Sequence, residues 1–277
     1  MVKNRTLTPL IVAVALGAVV LTGCSKSSDS SAPDTTAGST TAPSSTTTKA
    51  ETTSTTAAKG STTTAAPDTT TTPSKVTPCT TGATTPPAGA VTKSIIDVDG
   101  DGKTDTGWIA DVNGTVTVGI NTAAGGGATA PFQSASPVQR SMLVIDAQED
   151  GQAQVLLDDG RLVQLDAFVG CKIVPMTNPQ GQHYTFGLGF TDVGTGVGCP
   201  ESDAGRHLAG LNAPAEHPAN SVPYSVTIVK VNGTKASNGT VTKGTYTPPG
   251  DDAAISLLSE VTCGDQTIAA DGVSLEN

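Results

Sequence analysis

Histidine is scarce in this chain, with three in 277 residues, and His183, His207 and His217 are not arranged as HExxH. A zinc hydrolase of that type is excluded. The pattern GxSxG is missing, which removes the serine nucleophile elbow, and so is GxxxxGK[ST], which removes the P-loop phosphate cradle. The five cysteines show no CxxC spacing, so a zinc ribbon has no ligands to build from. Positive charge is also short: 15 Lys and Arg stand against 25 Asp and Glu. Within residues 79–277 the balance is nine against 21, and such an acidic body repels nucleic acid and anionic headgroups. Residues 25–78 contain no aromatic side chain and are almost wholly Thr, Ser, Ala and Pro. A segment with so little to bury cannot offset its chain entropy. It is expected to be a disordered tether with an end-to-end distance on the order of 40 Å. A glycosylated stalk is the alternative reading of the same composition.

At the amino end a short basic start, Lys3 and Arg5, precedes an apolar run at residues 10–21 that is too short to span a bilayer of about 30 Å. This is the layout of a secretion signal over residues 1–23. The run ends in Leu21-Thr22-Gly23-Cys24, which resembles the bacterial lipobox. The resemblance implies that Cys24 receives diacylglycerol and becomes the first residue of the mature chain. Because the acidic domain cannot supply membrane affinity, the lipid must, and two acyl chains suffice for a stable anchor. The chain is therefore expected at the extracytoplasmic face of the cell membrane, with residues 24–78 as lipidated cysteine plus linker and residues 79–277 as the folded domain.

With Cys24 assigned to lipid, Cys79, Cys171, Cys199 and Cys263 form an even set outside the reducing cytosol, and two disulfides are expected. Three pairings are open, with Cys79–Cys171 and Cys199–Cys263 preferred. Asn113-Gly114, Asp159-Gly160, Asn232-Gly233 and Asn238-Gly239 mostly separate stretches rich in Val, Ile, Leu and Thr. Such dipeptides are hairpin signals, because both central turn residues take positive φ. A two-residue turn at Asn113-Gly114 sets Ile109 across from Val118, on one face with Val116 and Ile120, and sets Trp108 across from Gly119 on the other. Trp108 is read as a packing residue. In the second hairpin Leu156, Val163 and Leu165 share one face, and Val155, Leu157 and Leu162 the other. Burial on both faces predicts a mainly β domain of antiparallel hairpins, arranged as partial propeller blades or a small sandwich. One short helix is expected within residues 251–260, with Ile255, Leu257 and Leu258 partly on one side. The three Asn-Gly-Thr sequons are accounted for by the turns and carry no function. Asp146, Asp150, Asp158 and Asp159 suggest a glycosidase pair only superficially, since they lie at hairpin turns and such pairs need a cleft.

The segment with clear chemical potential is Asp97-Val98-Asp99-Gly100-Asp101-Gly102-Lys103-Thr104-Asp105. Alternating carboxylates around a glycine turn can wrap a hard cation such as Ca²⁺. By analogy with the calcium loop, the ligands are the side chains of Asp97, Asp99 and Asp101, the Lys103 carbonyl, and Asp105. Trp108 stands where an EF-hand has its bidentate Glu, so the affinity expected is of the extracellular type, about 10⁻⁴ to 10⁻³ M. Residues 94–121 resemble an FG-GAP or VCBS-type repeat, and a second, eroded copy at 142–170 lies 49 residues on. There Asp97 and Asp101 are matched by Asp146 and Asp150, but Asp99 and Asp105 by Gln148 and Gln154, which leaves a structural relic without strong calcium binding. Gly170 to Pro175 is also similar to an element of actinobacterial FG-GAP lipoproteins. The family implies propeller-blade strands braced by calcium and loops that meet a protein or polysaccharide. Two copies cannot close a propeller. The function expected is a non-enzymatic, monomeric surface module that recognises another envelope component. The alternatives are a metal-assisted hydrolase acting on cell-wall material and a purely structural envelope protein.

Overall fold

The computed structural model describes residues 77–82, 85–189, 194–203, 205–214 and 216–275. Cys24, the signal segment and nearly all of the tether lie outside the described residues.

The described chain forms antiparallel β-sheets, as expected. The first sheet is a meander of β1 (Val91–Ile95), β2 (Asp105–Val112), β3 (Thr115–Asn121) and β4 (Gly127–Pro131), hydrogen-bonded in chain order. A second meander follows from β5 (Arg140–Ile145), β6 (Gln154–Asp158), β7 (Leu162–Phe168) and β8 (Ile173–Pro175), with β9 (Thr185–Gly187) on the other half of the β7 edge. After β10 (Gly194–Gly198) comes a small ribbon, β11 (Glu201–Ser202) with β12 (Gly205–Arg206). The third sheet then runs in the order β10, β13 (Ala209–Ala213), β14 (Val222–Asn232) and β15 (Lys235–Tyr246). The tail adds α1 (Asp252–Leu257), the ribbon β16 (Thr262–Cys263) with β17 (Gln266–Thr267), α2 (Ile268–Asp271) and β18 (Val273–Leu275). That last strand pairs with β5, so the C-terminal segment completes the second sheet.

Alternation along the strands explains the layering. Met142, Val144, Val155, Leu157 and Phe168 join Ile109, Val116, Val118 and Ile120 in one apolar cluster. Leu143, Ile145, Leu156, Val163 and Leu165 join Val197, Leu208 and Val229 in another. Since successive side chains of a strand point to opposite faces, the second sheet is the middle layer, with a core on each side. Three sheets stacked this way are more than a two-layer sandwich. Each fully buried Leu, Ile or Val stabilises the stack by about 1.5–3 kcal/mol.

The first hairpin has the register its turn demands, with Ile109 opposite Val118 and Trp108 opposite Gly119. Asn113 and Gly114 both sit at positive φ, 55° and 83°. Trp108 is 2% exposed, so it is a packing residue. A Cβ at Gly119 would lie 2.1 Å from the indole, which leaves glycine as the residue that fits beneath it.

Three turn expectations need correction. Asn232 pairs with Lys235, so the tight turn is Gly233-Thr234 and Asn232 ends the strand; glycine at the first central position takes the positive φ there. Asn238-Gly239 is no turn but part of β15, beside a register shift opposite Thr227–Val229. A glycine inside a strand marks a bulge as readily as a turn. The turn at Asp159-Gly160 is likewise displaced by one residue, to Gly160-Arg161, since Asp159 N donates to Leu162 O at 3.1 Å and Asp158 pairs with Val163, but the faces are unchanged because the slip is even. The expected helix is present as α1, with Leu257 exposed at its end and the C-cap residue Leu258 buried.

Candidate metal loop

The loop at residues 96–104 joins two strands that are already paired, since Ile95 and Asp105 are register partners. The chain must therefore reverse within a few residues, and it does so by folding its backbone N–H groups around carboxylates. Asp97 Oδ1 accepts from Gly100 N at 2.7 Å, and Oδ2 accepts from Gly102 N at 2.8 Å. Gly100 and Gly102 have φ of 68° and 85°, a conformation that Cβ-bearing residues rarely adopt. Asp105 is 2% exposed and braces the loop: Oδ2 accepts from Val98 N at 2.7 Å, Oδ1 from Ala123 N at 2.8 Å.

Asp97, Asp99 and Asp105 each offer a carboxylate oxygen within 4.8 Å of the others. Two oxygens on one Ca²⁺ stand at most about 4.6–5.2 Å apart, so this spacing is compatible with a shared ion. Three of the five expected ligands are thus brought together. Asp101 stands outside that set, with Oδ1 accepting from Lys103 N at 2.8 Å. Burial is the main influence raising the Asp105 carboxyl above its ordinary 3.8, against the lowering by the Val98 and Ala123 N–H groups, and the nearby Asp99 and Asp97 charges add to the rise. A cation beside these groups would reverse that tendency.

Three of the first loop's bonds have counterparts 49 residues on. Asp146 Oδ2 accepts from Gly151 N at 2.9 Å, as Asp97 does from Gly102. Asp150 Oδ1 accepts from Gln152 N at 2.9 Å, as Asp101 does from Lys103. Gln154 Oε1 accepts from Ala147 N at 2.9 Å, in the role of Asp105 toward Val98. Glu149 takes the place of Gly100 at φ 55°. The second loop keeps the turn, and its brace, Gln154, is neutral where Asp105 is charged. It has a protein cation instead: Arg206 donates from Nη2 to Asp146 O at 2.6 Å and sets Nη1 3.0 Å from Glu149 Oε1.

Sequence alone did not reveal how the domain's first residues are fastened to the first loop. Cys79 N donates to Asp99 Oδ2 at 2.7 Å, and Cys79 O accepts from Thr122 Oγ1 at 2.6 Å. Gly126 allows that seat, because a Cβ there would lie 2.3 Å from Cys79 O. Cys79 is bonded to Cys171 at the turn between β7 and β8, and Cys199 to Cys263, the pairing preferred from sequence. Asp99 therefore faces the candidate cation position and also holds the cross-linked entry segment.

The other singled-out residues play local roles. Asp159 is 4% exposed and caps its own turn, accepting from Ser134 Oγ at 2.5 Å and from Arg161 N and Leu162 N at 2.9 Å. Asp158 accepts from Gly160 N. His207 is half-buried beside Pro200, and His217 is exposed. His183 is different. Its Nε2 lies 2.7 Å from Asp166 Oδ1, although Asp166 falls in a strand where only burial, not sequence spacing, could single it out. No family model, curated protein or solved structure matches this chain.

Proposed function

We propose that the chain is a membrane-anchored lipoprotein of the cell surface whose non-enzymatic β domain is braced by one Ca²⁺ and meets another envelope component. The observation that carries the reading is the convergence of Asp97, Asp99 and Asp105 on one point. These side chains would hold the ion, with Asp101 and the Lys103 carbonyl available to complete the set. The ion would supply charge neutralisation to carboxylates that otherwise repel one another. The likeness to FG-GAP and VCBS-type repeats supports the same role. Cys24 would carry the lipid, and the Thr-rich segment would give the module reach toward a protein or polysaccharide partner. A monomer is the state proposed.

Two measurements test this together. Radiolabelled palmitate is expected to enter the wild type and not Cys24→Ser. The full chain, used as bait in envelope extract, is expected to return a specific partner in Ca²⁺ and less of it in EDTA. Label retained by the serine variant contradicts the anchor, and an empty pull-down in both conditions contradicts the recognition role. Turnover of a cell-wall glycan or ester that EDTA abolishes would favour a metal-assisted hydrolase instead.

A further inference from the structure

A cleft of about 450 Å³ opens between β4 of the first sheet and β7 and β8 of the second, away from the metal loop. Asp166 lines it, 3% exposed. His183 Nε2 is 2.7 Å from Asp166 Oδ1, yet its hydrogen bond is to Leu165 O at 3.1 Å, and Asp166 Oδ1 has no aligned donor among the described residues. At Oδ1 the compensation thus comes from the 2.7 Å contact with the imidazole, and its charge is present only while the imidazole is protonated. A buried carboxylate oxygen without an aligned donor is costly. Among the described residues lining the cleft there is no Lys or Arg to relieve it.

We propose that this cleft binds a small organic ammonium group, held by the Asp166 carboxylate in place of the His183 imidazole. A hydroxyl would supply the missing hydrogen bond but not the charge. A hydrated divalent ion needs six or more oxygens, whereas this cleft offers one carboxylate between walls of Pro131, Ile173 and Pro175 that suit a methylene stem. Gln133 and Gln164 also line it, with Gln164 Nε2 bonded to Gln133 O at 2.9 Å.

The proton and the amine compete for one carboxylate, which gives the site a pH signature. Burial pushes the His183 imidazole down, but Asp166 and the Leu165 carbonyl outweigh it and hold it above its usual 6.5. The other groups near His183 do not share the role: the Tyr184 phenol, pushed up by burial, donates to Asn238 Oδ1, and Lys235 donates to Thr177 Oγ1.

The test is NMR on the full chain with n-butylammonium as probe and 1-butanol as its neutral control, following the His183 ring and the Asp166 amide. Saturable shifts are expected from the amine and not from the alcohol, with a Kd of about 1–10 mM above the His183 midpoint. Affinity should fall roughly tenfold for each pH unit below that midpoint. Asp166→Asn should abolish the shifts, and His183→Gln should keep binding while flattening its pH dependence. The proposal is overturned by equal shifts from butanol, by no saturation at amine about tenfold above that range, by pH-independent binding to the wild type, or by binding that persists in a folded Asp166→Asn variant. Should Asp166→Asn not fold, the wild type and His183→Gln profiles decide it.

Discussion

Replacing Cys79 and Cys171 together by serine is expected to destabilise the domain by about 4–5 kcal/mol in the chain-entropy description of a cross-link. The bond spans 92 residues and ties the entry segment to the far turn of the second sheet, so without it the unfolded chain regains a long loop's worth of freedom. The loss should spread beyond that bond. Cys79 reaches Asp99 through its N–H and Thr122 through its carbonyl, and both contacts rely on the segment staying seated. Denaturant unfolding of oxidised wild type and double variant measures the difference, and calcium affinity should fall along with stability. An unchanged midpoint with an unchanged slope would mean that the entry segment is held by something other than its cross-link.

The brace of the first loop should be nearly as costly to remove. Asp105→Ala leaves the N–H groups of Val98 and Ala123 without their acceptor, one of them buried, and a loss of about 2–4 kcal/mol is expected. Asp105→Asn keeps one oxygen for Val98 and should lose less than half as much. Gln154→Ala, at the matching position of the second loop, should cost about 1–3 kcal/mol, because one neutral brace to Ala147 goes. The charge adds a pH arm that separates metal from brace. Without a cation the Asp105 carboxyl is held above 3.8, so the folded state binds its proton better than the unfolded state does. Its contribution is then full below 3.8 and lost as pH rises through the raised value. In EDTA, wild type should lose ground to Asp105→Asn over that window, and saturating Ca²⁺ should reverse the order. Thermal unfolding across pH 3 to 7, about four units, reads both. Parallel curves in EDTA and in Ca²⁺ would leave Asp105 a brace and nothing more.

What the sequence disclosed follows from how local each feature is. The first hairpin was legible to the residue because Asn113-Gly114 fixes the register and the register fixes the faces. The likeness of the two loops was legible because Asp146, Asp150 and Gly151 stand 49 residues after Asp97, Asp101 and Gly102, even though Gln148 and Gln154 have lost the charge. Gly239 misled because a strand bulge and a turn use the same residue. Of the third sheet only the β14–β15 hairpin was legible, through Asn232-Gly233 and one residue out of step, because the pairing of β10 with β13 spans the β11–β12 ribbon and no two-residue turn announces it. Arg206 on Asp146 and His183 on Asp166 are long-range contacts, and nothing local in the chain announces either partner. The seat of Cys79 on Asp99 belongs with them, as it joins residues 20 apart across a loop whose acids already had an explanation.

Equilibrium calcium binding by the full chain, measured by calorimetry beside the double variant Asp99→Asn with Asp105→Asn, tests the central claim most directly. Each asparagine retains an oxygen for Cys79 N or Val98 N, so the fold should persist while two of the three converging charges go. One ion per wild-type chain is expected, with a Kd of about 10⁻⁴ to 10⁻³ M, and at least tenfold weaker binding by the variant. A folded wild type that takes up no calcium at about 10 mM, or a variant that binds equally well, contradicts the account.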